Sequence, residues 1–137
     1  MATPGLDKLT VDQARALVQA TTFDIFNEHD QPKRRQLMEK YWVPGITCYS
    51  PFGASTGYDA LDQTWNGLHA DDKASWVFEP SGDLWLDFNV IMQAWIFGRR
   101  GEEPGMKGWD IIVINDDGRV KELYAMIEGV STHPYTV

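Results

Sequence analysis

A chain of 137 residues, 43% of them hydrophobic, is long enough to bury one core and is expected to form one domain. Twenty acidic against twelve basic side chains leave a formal charge of −8, which argues against nucleic acid or an anionic membrane as the main partner. No apolar run reaches the roughly 18 residues of a membrane span. The single cysteine, Cys48, excludes an internal disulfide and fits a reducing, cytoplasmic setting.

Residues 1–9 read as a flexible start with no basic-then-apolar signal pattern, 10–128 as the domain, and 129–137, with His133, as a tail ordered by packing on another subunit. Thr10-Val-Asp-Gln13 is a capping box that opens a helix to about Asn27, with Ala14, Leu17, Val18, Thr21 and Ile25 at helical spacing. After "EHDQP", Asp30 or Gln31 caps a second helix that ends near Trp42, before Pro44-Gly45. "ITCYS" (46–50) reads as a strand and "PFGAST" as a loop. Thr56-Gly-Tyr-Asp59 forms another capping box, opening a third helix with Leu61, Trp65 and Leu68 on one face. His69 is expected on the surface at its end. Strands are predicted near 75–79, 83–87, 89–98, 107–114 and 119–128, separated by turn-rich segments such as "PSGD" and "NDDG". This order predicts an α+β domain: three N-terminal helices packed on a strongly curved, mainly antiparallel sheet, leaving a cone with an apolar pocket inside.

The three histidines and one cysteine are scattered without metal-ligand spacing, and P-loop, dinucleotide and nucleophile-elbow motifs are absent. The chemistry is therefore expected to use no metal, nucleotide or other cofactor. One residue stands out. In "KGWDIIVINDDGRV" (107–120), Asp110 interrupts an apolar strand. Alternation sets Gly108, Asp110 and Ile112 on one face and Trp109, Ile111 and Val113 on the other, and both faces are largely apolar. An unpaired buried carboxylate costs several kcal/mol, so Asp110 needs a partner, a shifted pKa or a wet surface.

The stretch "ITCYSPFGASTGYDAL" and the hairpin "GWDIIVINDDGRVKELYAMIEG" resemble the NTF2-like superfamily, the cone fold of ketosteroid isomerases, SnoaL-type polyketide cyclases and scytalone dehydratases. The resemblance spans about residues 10–128. It places Asp110 where ketosteroid isomerases keep the oxyanion-hole aspartic acid, a carboxylic acid held neutral so that it can donate a hydrogen bond. It places Glu128 where SnoaL-type cyclases carry an acidic general base. Ser50 stands where the isomerases have their proton-shuttling aspartate, and Ile25 and Phe26 where a tyrosine would reach the oxyanion, which argues against a dienol-type steroid isomerisation. What remains is similar to SnoaL-like proteins of fungal alkaloid and meroterpenoid pathways.

The resemblance implies a cofactor-independent isomerase, cyclase or dehydratase acting on an apolar polycyclic metabolite. Asp110 would be general acid or neutral oxyanion donor, and Glu128 general base. Arg35, close to the apolar stripe of Met38 and Trp42, would pair with and tune one of them. Tyr49, Ser50, Trp65, Met106 and Tyr124 are expected to bind substrate, with Trp85 and Trp95 as further wall candidates, and Cys48 to be a small core residue. The alternative is a non-catalytic small-molecule-binding or interaction module of the same fold. On either reading, Trp109, Ile111 and Val113 offer a sheet face for a homodimer.

Overall fold

Alternation of inward apolar and outward mixed side chains over residues 90–98 and 106–114 builds the two strands on which everything else is hung. In a computed structural model, which describes residues 9–131, the inward set on these strands includes Ile91, Trp95, Phe97, Ile112 and Ile114, all buried. The expected loose start (1–8) and the tail from 132, with His133, lie outside the described residues.

Helix α1 (Val11–Val18) begins at the expected capping box, with Thr10 and Gln13 bonded reciprocally. It continues as a π-helix over Gln19–Ile25. Helix α2 (Gln31–Tyr41) carries Pro32 in its first turn, where the missing N–H costs nothing. Strand β1 (Trp42–Ser50) comes directly after, with a register shift between Trp42 and Thr47 that absorbs Pro44-Gly45. Then come β2 (Gly53–Thr56), α3 (Tyr58–Leu68), a 3₁₀ turn (Asp71–Lys73), β3 (Val77–Asp87), β4 (Val90–Gly98), β5 (Met106–Ile114) and β6 (Val120–Ile127). The six strands form one sheet in the order β2-β1-β6-β5-β4-β3. Only β1 and β6 pair in parallel, so the sheet is mainly antiparallel. The helices close its concave face, and each large apolar side chain buried there contributes roughly 1.5–3 kcal/mol. No helix among the described residues is long and apolar enough to cross a membrane.

Three local expectations are corrected. "PFGAST" is not wholly loop: residues 53–56 pair with β1 as a short strand. Thr56 consequently does not cap α3. Its hydroxyl meets that of its cross-strand partner Thr47 at 2.9 Å, and Gly57, at φ 87°, starts the helix without a side-chain cap. The segments 75–79 and 83–87 are one strand, interrupted by a bulge between Pro80 and Leu84 where Gly82 takes φ 78°.

Gly108 lies opposite Trp95 in the β4–β5 ladder. A Cβ there would run into the Met126 carbonyl oxygen and the Trp95 ring. The glycine lets the indole approach β5 two residues before Asp110.

Candidate active site

Asp110 points inward from β5, between Gln93 of β4 and Ala125 of β6, and is completely buried. Two neutral donors serve its carboxyl group. Trp95 Nε1 donates to Oδ1 at 2.9 Å, and the Thr22 hydroxyl donates to Oδ2 at 3.0 Å. Thr22 comes from the π-helix, whose wider turn sends both Thr21 and Thr22 inward. Thr21 accepts from Trp42 Nε1 at 3.2 Å, which leaves Thr22 for the acid. Burial pushes the Asp110 carboxyl up from 3.8 to about 7. The hydrogen bonds from Thr22 and Trp95 pull the other way and do not outweigh the lost hydration. Near neutral pH both forms are populated, the condition for a group that accepts and then returns a proton.

Asp110 lies on the wall of a cavity of about 230 Å³. The sheet contributes Cys48, Trp95 and Met106, the helices contribute Phe26 and Trp65, and the β1–β2 hairpin forms one side with Ser50 and Phe52. Phe52 is 73% exposed, so this side is the mouth. The lining is mostly apolar, which keeps the dielectric low around the acid. A larger open groove of about 740 Å³ runs between α1 and β3, but its charged residues, Arg15 and Asp83, are solvent-exposed. The smaller cavity holds the buried carboxyl group of Asp110. Burial, and secondly the charge of Asp110, push the Cys48 thiol up to about 12, so it stays protonated beside the acid. Among the described residues no group of three or more His, Cys, Asp and Glu is arranged to hold a metal.

The remaining expected site residues divide. Ser50, Trp65 and Met106 line the cavity with Asp110. Tyr49 and Tyr124 do not: alternation turns them to the convex face, where their rings stack at 4.6 Å. Glu128 lies just past the end of β6, is exposed, and does not line the cavity; its backbone N–H bonds the Lys107 carbonyl. Arg35 pairs with neither Asp110 nor Glu128. Asp59 and Asp62 of α3 hold it, and its guanidinium lies 5.6 Å from the centre of the Tyr58 ring. The expected two-acid arrangement tuned by Arg35 is thus replaced by a single buried acid held by an indole and a hydroxyl. His69 is buried, not on the surface, and stacks on His29 at 4.0 Å. Thr22 is the site residue that sequence reasoning misses, since nothing in its residue type marks the change to a π-helix that turns it inward.

No family model and no curated protein sequence matches the chain. Solved structures do. A "putative isomerase of the SnoaL-like family" from Agrobacterium tumefaciens superposes with a TM-score of 0.78 at 18% identity, covering 87% of this chain and 100% of that one. A SnoaL-like protein of unknown function from Burkholderia thailandensis gives 0.69 at 16% identity, covering 88% and 99%. A "putative polyketide cyclase" from Sinorhizobium meliloti gives 0.61 at 19%, covering 80% and 93%. The fold is therefore the one these structures share, helices closing the concave face of a curved, mainly antiparallel sheet. At these identities the likeness carries the fold and leaves the chemistry to be argued from the site.

Proposed function

We propose that the protein is a cofactor-independent isomerase or cyclase that moves a proton within an apolar, ring-bearing small molecule, with Asp110 as the proton carrier. The observation that carries this reading is a fully buried carboxyl group, bonded only by neutral side-chain donors, on the wall of an apolar cavity. In the ionised form Asp110 takes a proton from an activated C–H, and the electron pair of that bond moves into the substrate. The carboxylic acid so formed returns the proton to another carbon, with no net oxidation or reduction. One residue acts as both base and acid, a reading supported by Glu128 being exposed and outside the cavity lining. The cavity lies below the range of about 300–1,000 Å³ usual for drug-sized ligands, so the substrate is compact or projects through the mouth. The isomerase and cyclase descriptions of the Agrobacterium and Sinorhizobium proteins support the same class of chemistry.

The test needs no natural substrate. The Asp110 side-chain carboxyl carbon, tracked by NMR and assigned with Asp110→Asn, is expected to titrate near 7. In D₂O the protein is expected to exchange the hydrogens next to the carbonyl of 1-tetralone, a compact bicyclic ketone. An ordinary carboxyl titration near 3.8 would remove the basis of the proposal. Tight binding with no exchange across a panel of cyclic ketones would favour a binding module.

The convex face supports a homodimer. Tyr49, Tyr124, Ile111, Met92 and Trp85 are successive cross-strand partners, and Trp109 and Met126 lie beside them at 41% exposure each. A contiguous apolar row of this kind marks an interaction surface. Sedimentation is expected to give a dimer that Trp109→Glu converts to monomer. A monomeric wild type would remove this part of the proposal.

A further inference from the structure

Three tryptophans are buried against the helices, and the fold finds an acceptor for two of their N–H groups. Trp42 Nε1 donates to Thr21 and Trp95 Nε1 to Asp110. Trp65 is the exception. It is 6% exposed, and its Nε1 is buried without a hydrogen-bond partner among the described residues. A buried donor left in this state costs about 1–3 kcal/mol, so it calls for an explanation. The other buried atoms in the same condition, the two ring nitrogens of His69, belong to a residue outside the cavity lining. Trp65 is in the lining. It approaches from α3 while Asp110 approaches from the sheet, and the Phe26 ring, 4.3 Å away from centre to centre, fixes its position.

We propose that Trp65 Nε1 binds a carbonyl oxygen of the substrate, and hence that the substrate is a neutral, compact ring ketone or a related ring carbonyl compound. The assignment rests on the acid–base reading above and narrows it. Trp65 lines the cavity, so an acceptor bound there, a substrate oxygen in place of water, would satisfy this donor. A carboxylate is disfavoured, because the lining contains no cationic side chain to offset its desolvation. A carbonyl accepts without bringing a proton that would need an acceptor of its own. It also acidifies the neighbouring C–H, the bond that Asp110 is placed to break. As that proton leaves, negative charge gathers on the carbonyl oxygen, and a fixed N–H donor stabilises it more than it stabilises the ground state.

The experiment uses the full chain labelled with ¹⁵N and two probes of the same shape, 1-tetralone and tetralin, which lacks the oxygen. The Trp65 indole N–H signal is the one missing from Trp65→Phe, a variant that keeps an aromatic ring and removes the donor. Should that variant not fold, the signal is assigned through its contacts with the Phe26 ring. Adding 1-tetralone is expected to move this signal downfield, and tetralin is not. Tetralone affinity is expected to fall roughly three- to tenfold in Trp65→Phe, the range of one lost hydrogen bond, with tetralin affinity unchanged. A Trp65 signal that tetralone leaves in place, or that tetralin moves equally, overturns the assignment. Deuterium exchange in the same samples separates the two readings. A shift without exchange upholds Trp65 and removes Asp110 as proton carrier; exchange without a shift does the reverse.

Discussion

Asp110→Asn is expected to lower deuterium exchange into 1-tetralone by about 10²–10⁴-fold, the usual contribution of a positioned acid or base, and to make the protein more stable at pH 8. The amide keeps both present contacts: its oxygen accepts from Trp95 and one of its two N–H groups donates to the Thr22 oxygen, the reverse of the present bond. An unpaired neutral N–H costs less than a buried charge. What the amide loses is the proton equilibrium. The stability effect comes from linkage. The folded state holds the Asp110 proton up to about 7, whereas the unfolded chain releases it near 3.8. The stabilisation this provides is fully present below 3.8 and lost as pH rises through 7. At pH 8 the wild type therefore carries a buried charge worth a few kcal/mol, which the amide removes.

The effect is read as a difference between the two proteins. Burial, and then the facing His29, hold the His69 imidazole down to about 4 from 6.5. Its contribution is present above 6.5 and lost as pH falls through 4, opposite in sign to that of Asp110 and in an overlapping window. Because both proteins contain His69, its effect cancels in the difference. Urea midpoints for variant and wild type are expected to be similar at pH 4 and to diverge progressively toward pH 8. A gap that does not change with pH would mean that Asp110 is not the titrating group.

What can be seen in the sequence divides along physical lines. Strand alternation is local, so residues 107–114 alone set Gly108, Asp110 and Ile112 on one face; because both faces are apolar, the packing of the helices decides that this face is the inward one. The phase that turns Tyr49 and Tyr124 away from the cavity obeys the same alternation, but a set of aromatic residues chosen by type ignores it. Glu128 has the look of a functional acid because it lies near a strand end. The strand stops at Ile127, and one residue further the side chain is in solvent. Thr22 is invisible for another reason. On a regular α-helix continuing from Ala14 and Leu17, the inward positions include Thr21, and the change to a π-helix at Gln19 brings in its neighbour as well. No residue type in "QATTFDI" announces that change. β2 escapes because four residues rich in Gly, Ser and Thr pair as a strand only where β1 offers an edge.

Arg34 and Arg35 show the limit of periodicity, and their expected difference is large. Both lie one turn from Met38, at i−4 and i−3, so helical spacing cannot separate them. The fold does: Arg34 has no exposed surface, while the Arg35 side chain is 30% exposed. Arg34 bonds Asp62 Oδ1 at 3.0 Å, the Glu28 carbonyl at 2.9 Å and Asn66 Oδ1, so one guanidinium ties the turn before α2 to helix α3. Arg34→Met is expected to cost about 3–5 kcal/mol in urea unfolding, because it leaves Asp62 buried with half its partners and strips the donor from the Glu28 carbonyl. Arg35→Met is expected to cost less, about 1–2 kcal/mol, since its pair with Asp59 is solvated and Arg34 still holds Asp62 when the Arg35 bonds to Oδ2 are lost. The double change Arg34→Met with Asp62→Leu should recover most of the loss, because apolar groups packed in the same volume need no partners. A cost for Arg34→Met below about 1 kcal/mol, or a double variant no better than the single one, would contradict this account. Asn66 adjoins Trp65 on α3, so the clamp also fixes the helix that presents the free indole donor to the cavity. Arg34→Met should therefore weaken 1-tetralone binding as well, although Arg34 does not line the cavity.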